Sequence, residues 1–472
     1  MLDGLEISVV NLSEVFKENE TFRFDSEFFQ KHFLENAQLI TSNHRMREFL
    51  SSESFVNIKN LSLNKNFNYL EISNVSLAGL GYTTNEIDYL NIPDRATYVL
   101  KNHDIVISTV RPNRNAVALI RQGKRLVGTS GFTVLRIDKL SSYYVFAFCK
   151  TKYFITHLMR KNTATMYPAV SDNDVLNSII LVPSATFQAK IESIVKLAYQ
   201  KLEKSQILYT QAESLLLQEL GLDNWQPPIL ETTELKLSQI LEDNPTFRID
   251  SEYFQTKYLH NIRLIKSYPN GSITLGEVIK SITGGATPLG ANYFEKGIPF
   301  LRVQNIKPNY IDDSDLVYIS KKDDAKLKRS KLKENDVLFS ITGSYGNAAV
   351  VTKEFAGCNI NQHSVKLTLT GKTFSPYFFA VFLNSRVGRL QSDKYIVGIT
   401  RPALDYESIK KFEIPLVPYK FQRKIEDLIK AAYKNSKAGK MLLELAKHAV
   451  ELAIEQGEEA AMAKLSESEF TE

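Results

Sequence analysis

At 472 residues the chain exceeds one typical hydrophobic core, so two or more domains are expected. A composition of 43% hydrophobic and 24% charged residues is ordinary for a globular protein, and no apolar run approaches the about 18 residues that would span a bilayer. Net charge is only +5, yet residues 95–161 hold 13 Lys/Arg against 2 Asp/Glu, while the stretch from Glu451 onward holds seven Glu and one Lys. A basic stretch of this kind suits a polyanion, because each cation that neutralises a phosphate releases condensed counterions. A solvated basic face fits the same count.

The first residues carry Asp3 and Glu6 and no basic n-region, so no signal peptide is expected and the chain reads as cytoplasmic. Cys149 and Cys358 stand far apart without metal spacing. They read as two reduced thiols, with one long-range disulfide as the alternative.

Along the chain, Thr21-Phe-Arg-Phe-Asp-Ser-Glu-Phe-Phe-Gln30 returns as Thr246-Phe-Arg-Ile-Asp-Ser-Glu-Tyr-Phe-Gln255, with eight of ten positions identical. The echo continues in order. Leu100 to Val106 matches Leu332 to Leu338, and Ser108 and Asn115 fall opposite Ser340 and Asn347. Pro168 matches Pro402, Val182-Pro183 matches Val417-Pro418, and Phe187 to Glu192 matches Phe421 to Glu426. The offset drifts only from 225 to 235 residues, so the chain is a tandem duplication whose units are domains.

Within the units, residues 104–108, 132–137, 300–304 and 365–369 read as strands, apolar or alternating over four to six residues. Gly284, Gly285, Gly343 and Gly346 punctuate them as turns, and residues 377–390 read as helical. From Phe187 to Leu220 there is no Pro or Gly, and apolar residues recur every three or four positions. At ~1.5 Å per residue this is a rod of roughly 50 Å. Gly221 and the run Asp223-Asn-Trp-Gln-Pro-Pro228 stop it, with Trp225 expected to pin the junction to a core. A second rod begins at Phe421, with Gly439 inside it as an expected weak or bent point.

The fold class expected is α+β: two tandem mixed α/β domains, each followed by a long helix, the helices pairing as an antiparallel coiled coil. The boundaries expected are residues 1–186, helix 187–221, linker 222–245, residues 246–420, helix 421–461, and an acidic tail 462–472. The seam expected between the helices is Ile191, Ile194, Ala198, Leu208 and Leu215 against Ile425, Leu428, Leu442 and Leu445. Each rod lying on its own domain is the alternative. Framework retained with loops changed is what a reader of a two-part, non-palindromic site requires. DNA rises about 3.4 Å per base pair, so a rod of this length holds two heads about one helical turn or more apart.

The second unit runs Ile282-Thr-Gly-Gly-Ala-Thr-Pro288, Ile298-Pro-Phe-Leu-Arg-Val-Gln-Asn-Ile306, Asp336-Val-Leu-Phe-Ser-Ile-Thr-Gly-Ser344, Asn361-Gln-His363 and Ile414-Pro-Leu-Val-Pro418, then Phe421-Gln. This ordered series, with the tandem plan, closely resembles the specificity subunits of type I restriction-modification systems over nearly the whole chain. The resemblance implies two target recognition domains that each bind half of a bipartite site on double-stranded DNA. It implies helices that dock two methyltransferase (modification) subunits, and restriction (motor-nuclease) subunits that join them. It implies no cofactor in this chain, with S-adenosylmethionine, ATP and Mg on partner subunits, and no membrane. The first unit departs from the pattern: Asn57 to Leu61 and Tyr69-Leu-Glu-Ile-Ser-Asn74 replace the Gly-Gly-Ala-Thr-Pro and Ile-Pro-Phe-Leu-Arg-Val runs.

The candidate DNA-binding residues of the second unit are Arg302, Gln304, Asn305 and Lys307, which follow a strand and carry groups that read base edges. Ser344, Tyr345 and Asn347 lie in a Gly-flanked loop, and His363 and Arg401 complete the set. In the first unit they are Arg111 and Arg114, in the loop matched to Thr342-Gly-Ser-Tyr345, and Lys124 and Arg125 in a turn suited to phosphate. Lys326, Lys328, Arg329, Lys331 and Lys333 form a further basic run, for which a solvated helix face is the rival reading.

No catalysis by the chain itself is expected. Asn244-Pro-Thr-Phe247 only superficially resembles the Asn-Pro-Pro-Phe/Tyr site of amino-methyltransferases, and no phosphate-cradling GxxxxGK[ST] loop, HExxH motif or paired CxxC motif is present. The alternative to DNA reading is a two-domain scaffold or interaction protein.

Overall fold

The computed structural model describes residues 7–16, 19, 22–60, 66–163, 167–228, 232–241, 244, 247–288, 290, 293–371, 373–398 and 400–469. Of the positions named above, Asp3, Glu6, Thr21, Leu61, Pro245, Thr246 and the last three residues of the tail lie outside them. The chain divides into two compact units, Met1–Leu202 with Ser436–Glu472, and Glu203–Asn435. The division therefore falls inside both long helices, not at their ends as the sequence boundaries have it.

In the first unit, β1 (Phe67–Leu70), β2 (Asn85–Ile87), β3 (Ala96–Leu100) and β6 (Leu126–Thr129) form one sheet in the order β2-β1-β6-β3. β4 (Ile105–Ser108), β5 (Val117–Leu119) and β7 (Phe132–Leu135) form a second, in the order β5-β4-β7. β1 and β6 are parallel; the other pairings are antiparallel. The continuous apolar run of β4 follows from burial on both faces. Ile105 and Ile107 enter the cluster with the helix Ser142–Cys149, while Val106, one pleat over, joins Leu70 and Leu126 of the other sheet.

The second unit repeats this plan after a two-stranded pair of β8 (Ser272–Thr274) with β18 (Glu413–Pro415). β9 (Ile279–Gly284), β14 (Val337–Ser340), β15 (Ala348–Val350) and β17 (Ser364–Leu369) pair in the order β15-β14-β17-β9. β10 (Ile298–Leu301), β13 (Val317–Ile319) and β16 (Asn359–Ile360) form the smaller sheet, with β10 parallel to β16 as β1 is to β6. β11 (Ile306–Lys307) and β12 (Tyr310–Ile311) make a short ribbon. Val337 and Phe339 face the helical side and Leu338 the smaller sheet, the alternation seen in β4. The expected strand 300–304 stops at Leu301 and gives way to a one-turn 3-10 helix, Val303–Asn305. The helical stretch 377–390 is two helices, Pro376–Asn384 and Arg386–Tyr395.

The long helices span Ala185–Glu219 and Tyr419–Gln456. Their repeated starts have a physical reason. Gln188 accepts from the Ser141 backbone N–H at 3.0 Å, and Glu192 from its hydroxyl at 2.7 Å. Gln422 and Glu426 do the same to Ser375, each at 2.8 Å. In the first unit Phe187, Ile191, Ile194, Val195 and Ala198 share one apolar cluster with Leu443, Ala446, Ala449, Val450 and Ala453. Leu442 and Leu445, expected in the seam, are half-buried, so the buried face is turned by about one residue.

A Cβ on Gly439 would lie 2.7 Å from Leu202 Cγ and 2.9 Å from the Ala198 carbonyl oxygen. Gly439 is thus a point of close approach, not the weak point expected. In the second unit Ala212 and Leu216 cluster with Ile425 and Ile429; Leu215 and Leu428 flank them, and Leu208 is buried.

The second long helix ends at Gln456, and Gly457, at φ +90°, turns the chain. The expected acidic tail is instead a further helix, Glu458–Glu469, which buries Ala461 and Leu465. Trp225 packs in the second unit's core with His260, and Arg386 donates to its carbonyl, as anticipated. Cys149 and Cys358 are free thiols in different units. Burial pushes both thiols up, Cys358 to about 11.

Candidate nucleic-acid interface

The strongest repeat builds framework. In the first unit the buried Asn19 donates to the carbonyls of Val15 and Arg23, at 2.9 and 2.7 Å, and accepts from the Arg23 N–H at 2.8 Å. Asn244 makes the same three bonds, to Ile240 and Arg248. Arg23 and Arg248 then form two-pronged pairs with Asp25 and Asp250. Each carboxyl is held below the usual range by its arginine. Asn244, with both ends of its amide engaged, offers nothing to a methyl-transfer reaction. Around each motif four apolar residues stay exposed at matched positions: Leu12, Phe16, Phe22 and Phe24, and Leu237, Leu241, Phe247 and Ile249.

The C-terminal ends of β1 and β10 carry matched turns. Asn74 Oδ1 accepts the Glu71 N–H at 3.1 Å, and Asn305 Oδ1 accepts the Arg302 N–H at 2.9 Å. Asn305, proposed from sequence as a base reader, is buried and also donates to the Asp312 carbonyl at 2.8 Å. It closes a turn and is corrected to framework. The side chains displayed by the turn differ in charge: Glu71 in one unit, Arg302 in the other. Arg302 is half-buried and pairs with Asp315 at 2.8 Å, and the exposed Gln304 donates to the same carboxylate at 2.7 Å. Lys307, half-buried, lies on β11.

The loops after β4 and β14 lie beside these turns. In the first unit the side chain of Ile72 lies where a Cβ on Gly131 would be, and Thr109 donates to the Gly131 carbonyl at 3.0 Å. Val110 bridges to Ala169. In the second unit Asn361 donates to the Leu301 carbonyl at 3.1 Å, Ile341 to that of His363 at 3.0 Å, and Thr342 bridges to Ala403. Thr109, Val110 and Arg111 therefore match Ile341, Thr342 and Gly343, continuing the register of Ser108 with Ser340 and one place from the loop match that set Arg111 against Thr342.

Strand pairing resumes with Val117 opposite Ile107 and Ala348 opposite Phe339, so the second loop is one residue shorter. Consequently Asn115 matches Gly346, both at positive φ, and Asn347 matches Ala116. Asn347 is half-buried, donates to the Ile306 carbonyl at 3.1 Å and accepts from Arg389. Its assignment as a DNA contact is corrected to framework. Tyr345 donates to Asp393 at 3.1 Å, and burial raises its hydroxyl's pKa, leaving Ser344 as the exposed member of the loop.

The displayed rims differ in chemistry. The first carries Arg111, whose guanidinium carbon stands 4.6 Å from the Tyr167 ring centroid, and the exposed Arg114. The second carries the exposed Arg401, Thr342 bonded to His363, and Gln362 bonded to both His363, at 3.2 Å, and Thr287. Sequence reasoning passed over Tyr167, Thr287, Thr342 and Gln362. Signals were available, since Tyr167 adjoins the matched Pro168 and Gln362 sits inside the Asn361-Gln-His363 motif.

Lys124 and Arg125 are exposed but lie at the other end of the β4–β5 hairpin from Arg111 and Arg114. There the Gly123 N–H donates to Asn102, and Asn68 bonds the Arg125 carbonyl. The basic group of four is corrected to two pairs. Several cations of the basic stretch are internal. Arg136 is paired two-pronged with Asp104 at 2.8 Å, Arg160 is buried, and Lys150 donates to the carbonyls of Leu77 and Asn115. Burial pulls Lys150 down to about 7. In the second basic run Lys326 and Lys331 pair with Asp323 and Asp324.

Residues 270–444 match the family described as type I restriction modification DNA specificity domain. The type I restriction enzyme EcoBI specificity subunit of Escherichia coli is 31% identical over 132 residues, 27% of this chain and 27% of that protein's length. Among solved structures, the HsdS subunit from Thermoanaerobacter tengcongensis is 18% identical, with 88% of this chain and 96% of that chain covered and a TM-score of 0.32. The type I S subunit from M. genitalium is 13% identical, with 88% and 96% covered and a TM-score of 0.38. Residues 270–444, most of them in the second unit, thus match a type I restriction modification DNA specificity domain, and the first unit repeats the same framework.

Proposed function

We propose that the chain reads a bipartite, non-palindromic site on double-stranded DNA, each unit taking one half, without itself cutting or methylating it. One observation carries this reading: the two rims share a backbone frame and differ in nearly every displayed side chain, Glu71 against Arg302 and Arg111 against Gly343 among them. Framework conserved under divergent polar groups is what reading two unlike sequences requires. The set proposed to touch DNA is Arg111, Arg114 and Ser344 with His363 and Arg401, Lys124 and Arg125 as phosphate contacts, and Arg302, Gln304 and Lys307 beside them.

The two long helices pair along their length as an antiparallel coiled coil and set the gap between the half-sites. The apolar clusters that each unit builds from a piece of both helices support this. Two methyltransferase subunits dock on the chain, and motor-nuclease subunits join them, carrying S-adenosylmethionine, ATP and Mg. The matched exposed apolar residues around Phe22 and Phe247 suit two copies of one partner. The complex works in the cytoplasm; no helix among the described residues is long and apolar enough to cross a membrane.

The test is selection of random-sequence duplexes by the full chain with its methyltransferase partner, across a salt series. One split, asymmetric motif is expected. No enrichment at any salt would leave a two-domain scaffold as the reading. Methyl transfer by the isolated chain would refute the division of labour.

A further inference from the structure

We infer that Arg111 reads a guanine in the first half-site, and that Tyr167 is the positioning residue that holds its guanidinium for that task. The inference rests on the first unit being a DNA-reading head.

Arg111 sits in the left-handed region, at φ 53°, where a non-glycine residue is strained. The position is nonetheless fixed. The Arg111 N–H donates to the Pro168 carbonyl at 2.7 Å, and the buried Pro112 follows it into the one-turn helix Pro112–Arg114. The matched residue, Gly343, meets the same backbone demand at φ 68° without strain. An arginine here is therefore retained against the local preference for glycine.

Its side chain is also held. The guanidinium lies over the ring of Tyr167, which is 55% exposed, and among the described residues Arg111 has no carboxylate partner. Other arginines of the first unit that serve the framework are tied to carboxylates, as Arg136 is to Asp104 and Arg23 to Asp25. Stacking fixes the plane of the guanidinium and leaves its N–H edge for a planar acceptor pair. Guanine offers that pair in the major groove, O6 and N7. A phosphate accepts a fork too, but is served as well by a freely moving point charge, so a guanidinium held in plane on an exposed ring favours the base. The second unit moves its cation to the opposite arm: Gly343 stands on the loop and Arg401 at the place of Tyr167. The two rims would then present a guanidinium from different sides.

The experiment is motif selection from the random duplex library with the full chain and its methyltransferase partner, for wild type and four variants. Arg111→Gly takes the residue the second unit uses at this backbone position, so folding is maintained and is checked by thermal melting. It should lose preference for one guanine in the first half-site by about 5- to 150-fold, the discrimination of a bidentate pair. The second half-site should be unchanged. Arg111→Lys should weaken the same preference, because an ammonium lacks the planar fork that the Tyr167 ring holds in place. Tyr167→Phe should retain it, and Tyr167→Ala should weaken it at that same position only.

If wild type selects no motif, the reading of the first unit fails. If wild type selects a motif whose bases are indifferent to Arg111→Gly, with affinity falling equally for all sequences, Arg111 is a phosphate contact and the inference is overturned. Retention by Arg111→Lys, or an effect on the second half-site, overturns it as well.

Discussion

Gly439→Ala is a sharp test of how the two long helices meet in the first unit. On an exposed helix face this change stabilises by about 1 kcal/mol, because alanine has the higher helix propensity. Here the added Cβ would fall 2.7 Å from Leu202 Cγ and 2.9 Å from the Ala198 carbonyl oxygen. Leu202 can rotate away, but a backbone carbonyl in mid-helix cannot. Overpacking of this kind costs about 1–3 kcal/mol, so a net destabilisation of about 0–2 kcal/mol is expected after the propensity gain. In a unit of this size that lowers Tm by up to roughly 8 °C. The assay is thermal or urea unfolding of the full chain, with Met441→Ala, 63% exposed on the same helix, as the neutral control. The double variant Gly439→Ala, Leu202→Ala should be less destabilised than the sum of its parts, since removing the leucine makes room for the methyl. A raised Tm for Gly439→Ala, or strict additivity with Leu202→Ala, would refute close approach at this glycine.

Three further outcomes are expected. His157 is pulled down to about 3 by burial, with Nε2 enclosed and without a hydrogen-bond partner among the described residues. Between about pH 3 and the ordinary histidine range near 6.5 the unfolded chain thus binds the extra proton, and stability falls as pH drops through that window, by up to about 1.4 kcal/mol per unit. His157→Gln should flatten this slope in acid unfolding curves; an unchanged slope would place the acid sensitivity elsewhere. Asn305→Ala leaves the Arg302 N–H and the Asp312 carbonyl without partners. It should cost about 1–3 kcal/mol in urea unfolding and leave base preference alone, so a changed selected base without lost stability would restore Asn305 as a reader. Phe22→Ser and Phe247→Ser should each reduce the bound methyltransferase from two copies to one by native mass spectrometry, the double variant binding none. Two copies retained by the double variant would remove these patches as docking sites.

The tandem plan, the long helices and the framework motifs were legible because they rest on local patterns. The apolar spacing of 187–220, and Phe187-Gln-Ala-Lys-Ile-Glu192 with its copy, each report one turn or one strand at a time. What escaped depends on which groups meet in space. Asn305 looks like a base reader in sequence, yet its amide is consumed by a turn that Asn74 also closes. Arg111 and Lys124 look like one basic group, yet a hairpin strand separates them. The one-residue difference between the β4–β5 and β14–β15 loops misaligned Asn115 with Asn347, because identity in sequence outweighed a gap that only strand pairing exposes. Gly439 reads as a weak helix position until Leu202 and Ala198 are seen against it. The final helix, with seven Glu in its neighbourhood, hid Ala461 and Leu465 as core residues.

The central claim is that two unlike reading surfaces are held a set distance apart by paired helices. The most direct measurement is the motif selected by a chain lengthened by four residues in both long helices, next to Lys204 and at the facing turn of the second helix. The account predicts the same two half-sites with a longer gap between them. An unchanged gap, or altered half-site sequences, would contradict it.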